Sequence, residues 1–480
     1  MQKHPGGEDM VRQAAASVKS KIDDFGVTSD CLSSRAGLSL VSRYLDAIGI
    51  TRMLTLLFPS LKKNGKGTPL GSIFHQIICF FFDGTDFHMT RFDQLKKDSG
   101  YAGVIETEEN HMISSHTAKR FFSCFSIVRV WLFRKVLKNL FLWRLKQEQP
   151  KLIKIGIDTM VLDNNDADKR EGVEPTYKKV KGFQPLQVYW GRYLIDAIFR
   201  NGKAHSNHGN HVSRVVRDIV RLIRSGYRSD VPIIILADTG FFDEKLLHQC
   251  ERLKIGLIVG GKIYQDIKSY VGDLPEEQFS TYSKGLNSWA YCEFGNKRQS
   301  WSRYWRTIYA KPICEDDGQL IMEFARPETI IYTNLGMEND ITESLRALDD
   351  GARTELSPQG IISSYHLRAR DELINRALKD FGTEHLPFKK FTANTAFYYL
   401  MTISFFLFES FKYDMKSETV PVTWYAGTFR RRVLDAAGKL IRTGRLLIIK
   451  ITQTTHDVLA FAELWARSAG AQKIPIPLHW

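Results

Sequence analysis

The sequence predicts an α/β fold in which a mixed sheet core, interrupted by a mostly β insertion, follows an all-helical amino-terminal domain. Three observations predict it. Before residue 150, apolar positions such as Leu45, Ile48, Ile50, Leu54 and Leu57 recur at helical spacings. From residue 151 that period gives way to short apolar runs, among them KLIKIGID, VPIIILADTG and IGLIVGG. Two of those runs end in an acid, Asp158 and Asp238.

Taken in order, residues 1 to about 30 are polar and expected to be poorly ordered. The helical domain occupies 1–150, with a loop break at LKKNGKGTP whose Lys62, Lys63 and Lys66 read as a solvated turn. The first part of the core, 151–262, reads as strand, strand, strand, helix, strand, helix, strand. Its helix from about 210 to 224 puts Val212, Val215, Val216, Ile219 and Ile223 on one face. Arg214, Arg217, Arg221 and Arg224 lie on the other, suiting equally a solvated face and a DNA backbone. Residues 263–331 are the β insertion (STYSKGLNSWAYCEF, WSRYWRTIYA, ETIIYTNL), 332–413 complete the core, and 414–480 form a mixed region, basic at TFRRRV and GKLIRTGR.

At 480 residues, two or three structural units are expected. With 43% hydrophobic and 25% charged residues, the composition excludes a disordered or fibrous chain. A net charge of +14 favours a polyanionic partner. Six cysteines without a C-x-x-C pair point to neither a zinc ribbon nor a disulfide framework. The start, MQKHPGGEDM, lacks the apolar core of a signal peptide, so export is not expected. Phe391 to Phe408 is uncharged, but Asn394, Thr395, Thr402 and Ser404 within it suit a buried helix, and no membrane span is predicted.

The chemistry rests on carboxylates. If the strands ending in Asp158 and Asp238 are neighbours, both acids emerge at one sheet edge. Such a pair suits hard divalent cations such as Mg²⁺, which take oxygen ligands and, as a pair of ions, activate water and stabilise the leaving oxygen of a phosphodiester. The candidate third acid is Glu372, in YHLRARDELINRALK. Tyr365, Arg368, Glu372 and Lys379 fall within an arc of about 60° on one unbroken helix, at ~100° per residue. That face can offer an acid to a metal while Arg and Lys hold phosphates. Taken alone, it suits an amphipathic helix with internal ion pairs better.

Together, Asp158 in GIDTMV, Asp238 in LADTGF and the pattern Y-x2-R-x3-E-x6-K at Tyr365, Arg368, Glu372 and Lys379 resemble bacterial insertion-sequence DDE transposases of the group usually labelled transposase DDE domain, group 1. The resemblance extends over most of the chain, including DGTDFHMTRFDQLKKDSG and HLPFKKFTANTAFYYL. It implies an RNase H-like core and a catalytic, metal-binding triad of Asp158, Asp238 and Glu372 holding two Mg²⁺, for which Mn²⁺ substitutes. Tyr365, Arg368 and Lys379 would contact DNA phosphates, and the helical domain would bind terminal inverted repeats. The implied activity is cut-and-paste transposition: hydrolysis at the inverted repeats, then 3′-OH transfer into target DNA. The implied partners are double-stranded DNA and a second subunit in a homodimeric DNA complex, with no membrane, in the bacterial cytoplasm at the nucleoid. Rivals are a nuclease without strand transfer and a DNA-binding repressor that has kept the fold.

Other features have plainer expectations. Trp289, Trp301 and Trp305 suit core packing more than base stacking. His205, His208 and His211 suit a solvated turn more than zinc, and Asp163, Asp166 and Asp168 a surface loop.

Overall fold

The helical period before residue 150 becomes a set of helices joined through aromatic side chains. The protein is described here by a computed structural model at residues 22, 24–62, 67–167, 169–204, 210–285, 287–313 and 328–476, without the side chains of 369 and 370. Lys63, Lys66, Asp168, His205 and His208 lie outside those residues. Helix α1 (Leu38–Ile48) meets α2 (Ile50–Leu57) at Gly49, whose φ of 73° is strained for other residues. Helix α3 (Leu70–Asp83) is apolar on nearly every side and is buried accordingly. Between α2 and α3, the Lys62 ammonium donates to the carbonyls of Gly67 and Thr68, which accounts for Lys62. Helix α4 (Ile127–Glu148) starts at Ser126, whose hydroxyl accepts the Arg129 N–H.

The apolar runs after residue 151 form one nine-stranded sheet. Strands β1 (Ile153–Thr159), β2 (Leu186–Trp190) and β3 (Tyr193–Ile198) are consecutive antiparallel neighbours. Helix α5 (His211–Gly226) crosses one face to β4 (Ile233–Ala237), and α6 (Glu244–Arg252) leads to β5 (Gly256–Gly260). Strands β1, β4 and β5 are parallel. The insertion contributes β6 (Ser280–Lys284), β7 (Asn287–Asn296), β8 (Trp305–Ile313) and β9 (Thr329–Thr333). They extend the same sheet, because β9 pairs antiparallel with β5. The spatial order is β6-β7-β8-β9-β5-β4-β1-β2-β3. Trp301 and Trp305 are buried against this sheet, as core packing requires.

Helices α7 (Pro358–Leu367) and α8 (Ala369–Phe381) follow β9 and precede α9 (Phe391–Asp414). Helix α9 is the uncharged stretch. It is long and apolar enough to cross a membrane, yet 89% of its apolar window is buried inside the protein. Its rings meet both the helical domain and the sheet, with Phe397 at 5.1 Å from Phe81 and Phe406 at 4.8 Å from Tyr193. Buried Asn394 is satisfied by the Phe388 N–H and C=O, at 2.8 and 2.7 Å. The helical domain and the core therefore share one apolar cluster, and a second cluster fills the opposite sheet face beneath α7.

The last region folds back onto the first. Cys31–Ser33 pairs with Gly438–Thr443, which forms a hairpin with Leu446–Ile451, and α10 (Phe461–Ala469) packs on α1. The TFRRRV cluster has a structural account in Arg430. Its guanidinium donates to the carbonyls of Phe81 and Phe82 at the end of α3 and of Asp380 and Phe381 at the end of α8. A cation there satisfies carbonyls that helix ends leave without partners.

Candidate active site

Ile157 of β1 pairs with Ala237 of β4, so the next residue on each parallel strand is an acid and the two acids stand level at the sheet edge. Asp158 is held from two sides. Its Oδ1 accepts the Thr159 N–H at 2.7 Å and its Oδ2 accepts an amide N–H of Asn375 at 3.2 Å. Asp238 caps the 3₁₀ turn Thr239–Phe241, accepting the Gly240 N–H at 2.8 Å.

Burial pushes the Asp158 carboxyl up to about 6; the Thr159 N–H opposes the rise, Asp238 and Glu372 add to it, and Arg368 offsets it. Burial also raises Asp238, against the Arg368 charge and the N–H groups of Gly240 and Phe241. Asp158 thus feels both other acids, and Arg368 is the cation acting on the pair.

The signature residues lie on two helices rather than one. The expected single helix is broken at Arg368, where Arg368 N–H donates to the Tyr365 carbonyl and Asp371 N–H to the Arg368 carbonyl. These short-span bonds tighten the chain into a joint between α7 and α8, so the arc calculated for an unbroken helix no longer applies. Tyr365 ends up buried against Gly260, where an added Cβ would lie 2.3 Å from its hydroxyl. Arg368, half-buried at the joint, lies 5.5 Å from the Tyr365 ring centroid, and its Nε has no hydrogen-bond partner. Glu372 is exposed on α8. Lys379, two turns further on, is ion-paired with Glu384 at 2.6 Å.

Oxygen donors of this kind, near one another and partly desolvated, fit a hard divalent cation better than a thiolate-loving metal. Among the described residues, no three acidic, histidine or cysteine side chains stand close enough to enclose one ion. The acids are grouped electrostatically without being closed around a point.

Over residues 24–469 the sequence matches the family described as Transposase DDE domain group 1. The chain belongs to this family. It is a metal-dependent DNA transposase that cuts DNA and transfers strands, as its family does. The cryo-EM structure of the piggyBac transposase synaptic complex with hairpin DNA is similar at 13% identity and a TM-score of 0.41, over 84% of this chain and 80% of that one. No curated protein matches the sequence.

Three neighbours of the transposase's acids escaped the sequence reading. Asn375 donates to Asp158 and accepts from the Tyr189 hydroxyl. Asp371, beside Glu372, is buried, and its carboxyl lies where a Cβ on Gly156 would stand, 2.2 Å from its Oδ2. Burial first, then the Asp158 charge, pushes Asp371 up to about 8 against Arg368. The third is Tyr177, whose phenol is raised by burial and then by Asp158, Asp238 and Glu372. Gly156, two residues before Asp158, was the one available signal, since a strand glycine often marks a close approach.

Proposed function

We propose that this transposase moves a bacterial insertion sequence by cut-and-paste, with Asp158, Asp238 and Glu372 as the catalytic carboxylates. The observation that carries this is the level placement of Asp158 and Asp238 on adjacent parallel strands, with Glu372 near enough to raise Asp158. The three would hold two Mg²⁺, or Mn²⁺ in their place, which supply water activation and leaving-oxygen stabilisation at a phosphodiester. Thr159 and Asn375 orient the Asp158 carboxylate, and Gly240 orients that of Asp238. Arg368 supplies a cation beside the acids for a DNA phosphate. Lys379 reaches a phosphate by leaving Glu384, and Tyr365 braces the joint that carries Arg368. The amino-terminal helices take the terminal inverted repeats. The exposed Arg214, Arg217 and Arg221 of α5 add sequence-independent affinity. The enzyme acts on two ends as a homodimer in the bacterial cytoplasm.

The test is cleavage of DNA carrying the inverted repeats that flank the gene, by wild type and by Asp158→Ala, Asp238→Ala and Glu372→Ala. Cleavage and joining by wild type, lost in all three variants, is the expected result. Cleavage without a joined product leaves a nuclease. A wild-type protein that binds the ends and never cuts them leaves a repressor.

A further inference from the structure

The ribbon of β1 and β2 continues past the carboxylate edge. Leu162 pairs with Phe183 just beyond it, and Lys181–Phe183 pairs on its other side with Glu174–Pro175. The tip of that extension, residues 176–180, reads TYKKV. The tip is a tied turn. Both the amide and the hydroxyl of Thr176 donate to the Val180 carbonyl, at 2.9 and 2.8 Å, and the Lys179 N–H donates to the Thr176 carbonyl at 3.0 Å. Lys179 itself sits in the left-handed region at φ 62°, a conformation with a cost for a residue bearing a Cβ.

This fixed turn displays an unusual trio. Tyr177 is 60% exposed, and Lys178 and Lys179 beside it are also exposed. The Lys178 ammonium is 5.9 Å from the Tyr177 ring centroid. The turn closes the ribbon that runs on directly from the strand carrying Asp158, and the phenol feels the charges of Asp158, Asp238 and Glu372. An aromatic face flanked by cations matches a nucleic-acid strand, because rings accept bases without sequence preference and ammonium groups meet phosphates. A turn already tied at its base loses little freedom on binding.

We propose that the Thr176–Val180 turn is a substrate clamp, with Tyr177 stacking on a nucleotide next to the phosphodiester that is cut and Lys178 and Lys179 holding the flanking phosphates. The clamp rests on the transposase reading for the nature of its substrate. It is a positioning device and takes no part in bond making.

The test measures binding of the full chain to an end-containing duplex without divalent cation, across a range of salt, with 2-aminopurine placed in turn at each terminal nucleotide. Tyr177→Ala is expected to weaken binding about tenfold and Tyr177→Phe less than twofold, within the range base–aromatic stacking supports. Wild type and Tyr177→Phe should quench 2-aminopurine at one position, and Tyr177→Ala should not. The pair Lys178→Gln and Lys179→Gln should flatten the slope of log affinity against log salt by about 1.8, at ~0.9 per phosphate contact. Tyr177→Ala with wild-type affinity and quenching overturns the stack, and an unchanged salt slope overturns the lysine contacts. Cleavage by wild type with Mg²⁺ is scored separately. A wild type that cuts while the Tyr177 and lysine variants bind normally removes the clamp alone, and a wild type that never cuts removes the transposase reading while quenching still decides the clamp.

Discussion

Replacing Gly156 by alanine tests how the Glu372 helix is seated. Gly156 lies in β1, a strand paired on both sides, and its φ is not in the left-handed region. With nothing above it, alanine there would stabilise the fold by roughly 0.4–1 kcal/mol through the unfolded chain. The structure reverses that sign. The new Cβ would stand 2.2 Å from Asp371 Oδ2 and 2.7 Å from its Cγ and Oδ1. That is roughly 1 Å or more short of a comfortable contact. The central strand is the less mobile partner, so α8 retreats and takes Glu372 with it. Overpacking of this kind costs about 1–3 kcal/mol, and a ~1 Å misplacement at a reacting site can cost ~100-fold in rate. The assay is a urea unfolding midpoint together with the cleavage rate on end-containing DNA. Gly156→Ala should lower both, and Gly156→Ala combined with Asp371→Ala should recover at least about 1 kcal/mol relative to the sum of the single changes. A Gly156→Ala protein as stable and as active as wild type would refute the close seating, and so would strict additivity.

Three further outcomes are expected. Asp371 keeps its proton in the folded state up to about 8, while the unfolded carboxyl has lost it above ~4, so folding takes up a proton and stability falls as pH rises between those values. Asp371→Asn should remove a slope of up to about 1.4 kcal/mol per pH unit in that window, read as the wild-type-minus-variant difference in urea midpoints at pH 5 and pH 8. Equal differences at both would contradict the raised carboxyl. Asn375→Ala deprives Asp158 of its amide donor, and loss of such an outer contact typically weakens metal affinity about 10–100-fold; titration of cleavage with Mg²⁺ reads it, and an unchanged midpoint counts against the role. Arg430→Gln strands carbonyls at the ends of α3 and α8, and a buried unpaired group costs about 1–3 kcal/mol, so unfolding should shift to lower urea with faster amide exchange at Phe381 and Gly382.

The level placement of Asp158 and Asp238 was legible because two acids close short apolar runs, and the family because a four-residue spacing is specific in type and interval. The succession of strands and helices along residues 151–262 was legible too, since alternating runs and helical periods are local properties. The single helix expected for Tyr365, Arg368, Glu372 and Lys379 is two in the structure, because a periodicity cannot report a joint stabilised by two short-span backbone bonds. Nor could it report that Lys379 is engaged by Glu384, that Tyr365 is buried against Gly260, or that Asn375 reaches Asp158. Those contacts join residues distant along the chain or depend on how helices sit on a sheet.

The sequence by itself determined the alternation of strands and helices, the acids at strand ends, the buried character of the uncharged stretch and the family signature. Each is fixed by side-chain chemistry within a few residues. Only the tertiary structure decided that the insertion extends the main sheet, that the carboxy-terminal region returns to the first helices, and that the 176–180 turn closes a ribbon running on from the strand of Asp158. These depend on pairing and packing between remote segments, where an edge strand or an apolar face will accept many partners and only the assembled fold selects one.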